Sequence, residues 1–167
     1  TAGSYDESFN GGVPEAVVFI PFTEGTDIVI SKISEDGSDL LAGTFIGGTG
    51  NDGINMDADL KYNYADEVRG EIMIDSDDMV YIATSTRSTD FPVVGAGLQN
   101  VLNGTQDGCL VKIDGDLSAV EWSGFMGGSQ ADAIYSVSLD QAQNVYVAGG
   151  TSSVDFPVTT GSLDEVF

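Results

Sequence analysis

Acids dominate the chemistry open to this chain. Asp and Glu number 27 against 5 Lys and Arg, a formal net charge of −22 over 167 residues. The densest run of oxygen-bearing side chains is Asn51-Asp52-Gly53-Ile54-Asn55-Met56-Asp57-Ala58-Asp59, and a second is Asp75-Ser76-Asp77-Asp78. Calcium takes about six to eight oxygens from carboxylates and carbonyls. Asp52, Asn55, Asp57, Asp59, Asp75 and Asp77 are therefore candidate calcium ligands. Neither run fits the EF-hand loop with its fixed Gly and closing Glu, and solvated turns are the competing reading. A pair of acids in a pocket, ~5–10 Å apart, would suit glycoside hydrolysis, but nothing in the sequence marks one pair among so many.

Several chemistries are excluded. There is no His, so the usual zinc ligand, the Ser-His-Asp triad and the commonest general base are missing. The single Cys, Cys109, excludes an internal disulfide and sits in the apolar run Gly108-Cys109-Leu110-Val111, which predicts an inert core thiol. The negative charge opposes binding to nucleic acid and to anionic membranes. No apolar run reaches the ~18 residues of a membrane span. Tyr62, Tyr64 and Arg69 are candidates for an exposed binding loop; Trp122 and Tyr135 are candidates for a sugar platform or, on predicted strands, for the core.

These residues are placed by an internal repeat. Phe45-Ile46-Gly47-Gly48-Thr49-Gly50-Asn51-Asp52 returns 80 residues later as Phe125-Met126-Gly127-Gly128-Ser129-Gln130-Ala131-Asp132, and Asp27–Ile33 returns as Asp107–Ile113 at the same offset. Asp75 to Pro92 aligns without a gap to Asp140 to Pro157 at an offset of 65. The ends match as well, Gly3–Phe9 against Gly161–Phe167, so the chain holds two units, about 1–96 and 97–167. The change of offset locates two insertions in the first unit, within 13–26 and 53–70. Insertions in repeat proteins map to loops and often hold the specific function. The chain opens on Thr1-Ala2-Gly3-Ser4 without an initiator Met, and we expect a piece of a longer, processed protein.

Short runs rich in Val, Ile, Tyr and Phe, separated by Gly/Asp/Ser clusters, predict an all-β fold. Strands are expected near 27–33, 40–46, 69–74, 79–85, 107–113, 119–126, 134–139 and 144–149, with an extra edge strand at 16–22 and a short helix near 58–66. Four strands per repeated unit is how propeller blades read. The expectation is a β-propeller segment, about two four-stranded blades' worth of antiparallel sheet, cut out of phase with the blades of a larger ring. Lys32 and Lys112 are repeat-equivalent and predict an ion pair with an acid that fixes strand register. Asp90-Phe91-Pro92 and Asp155-Phe156-Pro157 predict a capped, anchored strand exit. The glycine pairs 47–48 and 127–128 predict positive φ or close backbone approach.

Taken together, Asp-x-x-[Val/Leu]-x-Lys-Ile, Phe-x-Gly-Gly-[Ser/Thr]-x-x-Asp, Asp-x-x-x-x-Val-Tyr-[Ile/Val]-Ala and [Ser/Thr]-x-Asp-Phe-Pro resemble the bacterial SBBP repeat, the seven-bladed β-propeller repeat. The segment Asn63-Tyr64-Ala65-Asp66-Glu67-Val68-Arg69-Gly70-Glu71, with Asp75 and Tyr81, is similar to the propeller region of large secreted surface proteins of gliding Bacteroidetes. The resemblance implies an extracellular or cell-surface module for binding, adhesion or structural spacing, exported by type IX secretion, and not an enzyme. Its implied partners are other blades or domains of the same protein, surface polysaccharide, and other cell-surface or secretion proteins. A secreted glycosidase built on a propeller is the alternative, and a substrate caught in a secretion machine is a third.

Overall fold

A computed structural model describes residues 1–17, 20–61, 65–95 and 98–164. The fold is all-β and antiparallel. The strands are β1 Glu15–Val17, β2 Ile20–Phe22, β3 Ile28–Ile33, β4 Leu40–Ile46, β5 Glu71–Ile74, β6 Val80–Thr86, β7 Asp107–Ile113, β8 Val120–Met126, β9 Asp132–Leu139 and β10 Val145–Thr151. The eight repeat strands fall where the apolar runs predict them. Among the described residues no helix is long and apolar enough to cross a membrane.

Pairing follows chain order but ignores the unit boundary. β5-β6-β7-β8 form a four-stranded sheet, while β3-β4 and β9-β10 form two-stranded sheets and β1-β2 a separate hairpin. The central sheet takes two strands from each repeat unit. By the repeat offsets, β3-β4 is equivalent to β7-β8 and β9-β10 to β5-β6. Each two-stranded sheet thus repeats one half of the central sheet.

The central sheet is covered on both faces, which explains why β6 is buried along its whole length. Side chains alternate across a strand. Val80 and Ile82 of β6, Cys109, Val111 and Ile113 of β7, and Phe125 of β8 pack with Ile28, Ile30, Ala42 and Ile46 of β3-β4. The opposite face, with Ala83, Leu110, Trp122 and Met126, packs on Ile134, Val137, Val145 and Val147 of β9-β10. Trp122 therefore belongs to the core, edge-on to Tyr81 at 6.2 Å between ring centroids.

The turns repeat as faithfully as the strands. Each hairpin closes through an Asp or Ser whose amide bonds back across the turn: Asp75 N to Met79 O, Asp140 N to Asn144 O, Asp114 N to Ala119 O and Ser34 N to Asp39 O. Each needs one residue with positive φ, supplied by Asp78 (61°), Gln143 (63°), Leu117 (57°) and Gly37 (74°). Leu117 stands where its repeat partner is Gly37. A left-handed conformation costs a side-chain-bearing residue roughly 1–2 kcal/mol, and Leu117 offsets this by burying its side chain in the core at 1% exposure.

Both insertions are structured. The first contains the β1-β2 hairpin, which spans the expected edge strand; residues 18 and 19 lie outside the described residues. The second contains two one-turn 3-10 helices, Ala58–Leu60 and Asp66–Val68, where one short helix is expected from sequence. It is stitched to the body: Asn55 and Leu60 are buried, Gln106 Nε2 donates to Asn55 Oδ1 at 2.9 Å and Tyr135 OH to Leu60 O at 2.7 Å.

Candidate functional site

The repeated Gly-Gly motif builds the same polar clamp twice. In the first copy Gly48 N donates to Asp52 Oδ2 at 2.9 Å, and Ser88 Oγ donates to the same oxygen at 2.7 Å. Thr86 Oγ1 donates to Asp52 Oδ1. Thr49 N donates to Asp90 Oδ1 at 2.8 Å, and Gly50 N to Ser88 Oγ at 2.9 Å. In the second copy Gly128 N and Ser153 Oγ donate to Asp132 Oδ2 at 2.7 and 2.8 Å. Ser129 N donates to Asp155 Oδ1 and Gln130 N to Ser153 Oγ, both at 2.8 Å. The loop leaving one sheet is thereby bolted to the strand exit of the next. The glycines serve by close approach, not by positive φ. A Cβ on Gly48 would lie 2.4 Å from Asp90 Oδ1, and one on Gly128 2.6 Å from Asp155 Oδ1.

This network sets the electrostatics of the acids. Burial pushes Asp52 up to about 6, against the hydrogen bonds from Thr86, Ser88 and Gly48, and nearby Asp27 adds to the rise. Burial likewise raises Asp27 and Asp107. Asp90 and Asp155 are held below the ordinary carboxylate range, chiefly by the amides of Thr49 and Ser129. A carboxyl near 6 has the acidity of a general acid, but Asp52 is buried beneath three donors, and the clamp recurs in both units. Its arrangement is that of a joint between sheets.

The candidate calcium ligands are not brought together. Asp52 and Asn55 are buried and hydrogen-bonded within the protein. Asp57 caps the first 3-10 turn by accepting from Asp59 N at 2.9 Å, and Asp59 is exposed. Asp75 accepts from Asp77 N, Met79 N and Tyr81 OH. Burial raises its carboxyl, but these bonds together with Lys112 bring it below the usual range. Asp77 is exposed. Among the described residues no group of three or more such side chains stands close enough to hold a metal ion. Of the candidate binding loop, Tyr62 and Tyr64 lie outside the described residues. Arg69 pairs with Asp66 at 3.3 Å and lies over the Tyr135 ring, 5.5 Å from its centroid.

Both lysines find acids, but different ones. Lys112 Nζ is 3.9 Å from Asp75 and 5.0 Å from the Tyr81 ring centroid, inside the central sheet. Lys32 Nζ is 3.9 Å from Asp116 and donates to Gly115 O at 2.9 Å, half-exposed. Cys109 is buried, and desolvation raises its thiol well above the ordinary value.

Two clefts run along the free edge of β3. One of about 450 Å³ is lined by Thr26, Asp27, Val29, Gly53, Val68 and Ile72 among others, and one of about 310 Å³ by Ile30, Lys32, Ile72, Ile74 and Leu117 among others. Thr26 Oγ1 and Asp27 Oδ1 in the first are buried without a hydrogen-bond partner among the described residues. These clefts carry no sequence motif. They arise because β5 and β6 lie beyond the reach of β3-β4, which covers the other half of that face. No family model matches the chain, and no curated protein matches it.

Proposed function

We propose that the chain is an arc of a β-propeller and serves as a non-catalytic module for binding, adhesion or spacing in a secreted or cell-surface protein. The observation that carries this reading is the central four-stranded sheet, sandwiched between two half-sheets that repeat its own halves and joined to them by duplicate carboxylate clamps. A sheet stacked face to face on copies of itself is the packing rule of propeller blades. The resemblance to SBBP repeats points the same way and adds the expectation of type IX export in a gliding bacterium. The acids that repeat between units hold the joints, which favours architecture over hydrolysis.

The test is binding to immobilised bacterial surface polysaccharides, run beside hydrolysis of aryl glycosides by the same preparation. The module reading expects retention without turnover. Turnover that survives purification and is abolished by Glu71→Gln, at the acid beside the larger cleft, would overturn it.

A further inference from the structure

Among the described residues β3 pairs only with β4, and β10 only with β9. The two free edges are not arbitrary. β10 is the repeat equivalent of β6, and β3 of β7; β6 and β7 are paired antiparallel in the central sheet with Tyr81 opposite Lys112 and Thr86 opposite Asp107. Carrying that register over by the two offsets sets Tyr146 opposite Lys32 and Thr151 opposite Asp27. The pairs are the same residue types: Tyr with Lys, and Thr with Asp. We propose that the edge of β10 in one molecule pairs with the edge of β3 in a second copy, completing a four-stranded sheet β9-β10-β3-β4 shared between the two. This rests on the propeller reading above and names the partner of its open ends.

Exposure agrees residue by residue. Val29, Ile33, Ile72 and Tyr146 are 52–64% exposed, whereas their repeat equivalents Cys109, Ile113, Val137 and Tyr81 are at most 4% exposed. In the shared sheet, Val29 and Ile33 of the second copy would face Leu110 and Trp122 of the first, as Cys109 and Ile113 face Ile28 and Ile30 within one molecule. The β9-β10 hairpin of the first copy would fill the clefts beside β3 of the second and cover its Ile72 and Ile74. Electrostatics supply a local match as well. Tyr146 OH lies 3.4 Å from Asp140 Oδ2, repeating Tyr81 and Asp75, so Lys32 of the second copy would meet the Tyr-Asp pair that Lys112 meets within one chain. The contact is head-to-tail, so successive copies either close into a ring or extend.

The net charge of −22 on each copy opposes association, and salt screens it: the screening length falls from about 8 Å at physiological ionic strength to about 3 Å at 1 M. Sedimentation of the 167-residue chain from micromolar to near-millimolar concentration is expected to show association that tightens about tenfold or more over that range of salt. Val29→Asp, at an exposed position, should weaken it about tenfold or more with the melting temperature unchanged. Register is read by mixing Lys32→Cys and Tyr146→Cys molecules under mild oxidation. The mixed disulfide should exceed either homodimer several-fold, and Ser38→Cys, in the β3-β4 turn, should not replace Lys32→Cys. A monomer at every salt and protein concentration, with its β-sheet spectrum and melting transition intact, overturns the proposal and leaves the module reading standing. Association that Val29→Asp does not affect, or disulfides without that preference, also overturns it.

Discussion

Asp52 offers the sharpest check on the clamp. Replacing it with Ala removes the acceptor for Gly48 N, Ser88 Oγ and Thr86 Oγ1 in a site that is 1% exposed. A buried donor left without a partner costs about 1–3 kcal/mol. The Gly48 amide cannot turn elsewhere, whereas the two hydroxyls can rotate, so the polar loss is about 2–5 kcal/mol. Against it stands the cost of burying the charge. Raising the carboxyl from 3.8 to about 6 makes the ionised folded state about 3 kcal/mol less favourable than an unperturbed acid would be. At pH 7 the variant is relieved of that penalty, and its net destabilisation is only about 1–3 kcal/mol.

The sign of the pH dependence separates the two contributions. Because the folded carboxyl titrates above the unfolded one, its contribution to stability is fully present below the unfolded value near 4 and is lost as pH rises through about 6. The wild type should gain about 1 kcal/mol from this group between pH 7 and pH 5, and the Ala variant should not. Urea denaturation of both proteins at the two pH values gives the difference directly. The gap between them should widen on acidification; a gap that narrows or stays constant refutes the assignment of a strained, buried carboxylate at the clamp. Using the difference cancels the general effect of acid on a chain of this charge.

Other perturbations probe other joints. Gly128→Ala would place a Cβ 2.6 Å from both Ser153 Cβ and Asp155 Oδ1; overpacking of this kind costs about 1–3 kcal/mol, seen as a lower midpoint in urea. Lys112→Met removes the contacts with Asp75 and Tyr81 and should cost about 0.5–1 kcal/mol, with the difference reduced at high salt. Cys109, fully enclosed and with its thiol raised by burial, should resist alkylation in native buffer and react at the rate of a free thiol in denaturant. Leu60→Ala should destabilise by about 2–4 kcal/mol, because the second insertion is anchored in the body; a change near zero would mean that this loop is a detachable appendage.

The fold class and the strands were legible in the sequence because both are local. Runs such as Ile28–Ile33 and Val80–Thr86 combine β-branched and aromatic residues with turn residues at their ends, and the repeat at offsets of 80 and 65 doubles the signal. The same repeat marked Gly47–Asp52 and Gly127–Asp132 as one structural device. What the device does was not legible. Asp90 reads as a cap for its own turn, yet its carboxylate accepts from Thr49, 41 residues earlier. Asp52 and Asn55 read as cation ligands, yet they are consumed by hydrogen bonds to Ser88 and Gln106. The second insertion reads as an exposed functional loop, yet Ile54, Leu60 and Asp66 are buried. Nor does a strand's own pattern name its neighbour: β6 pairs with β7 across the unit boundary. Periodicity and turn chemistry act over a few residues. Partner choice, and whether an acid is solvated, paired or buried, depend on atoms brought together from tens of residues apart, and only the packed sheets decide which atoms those are.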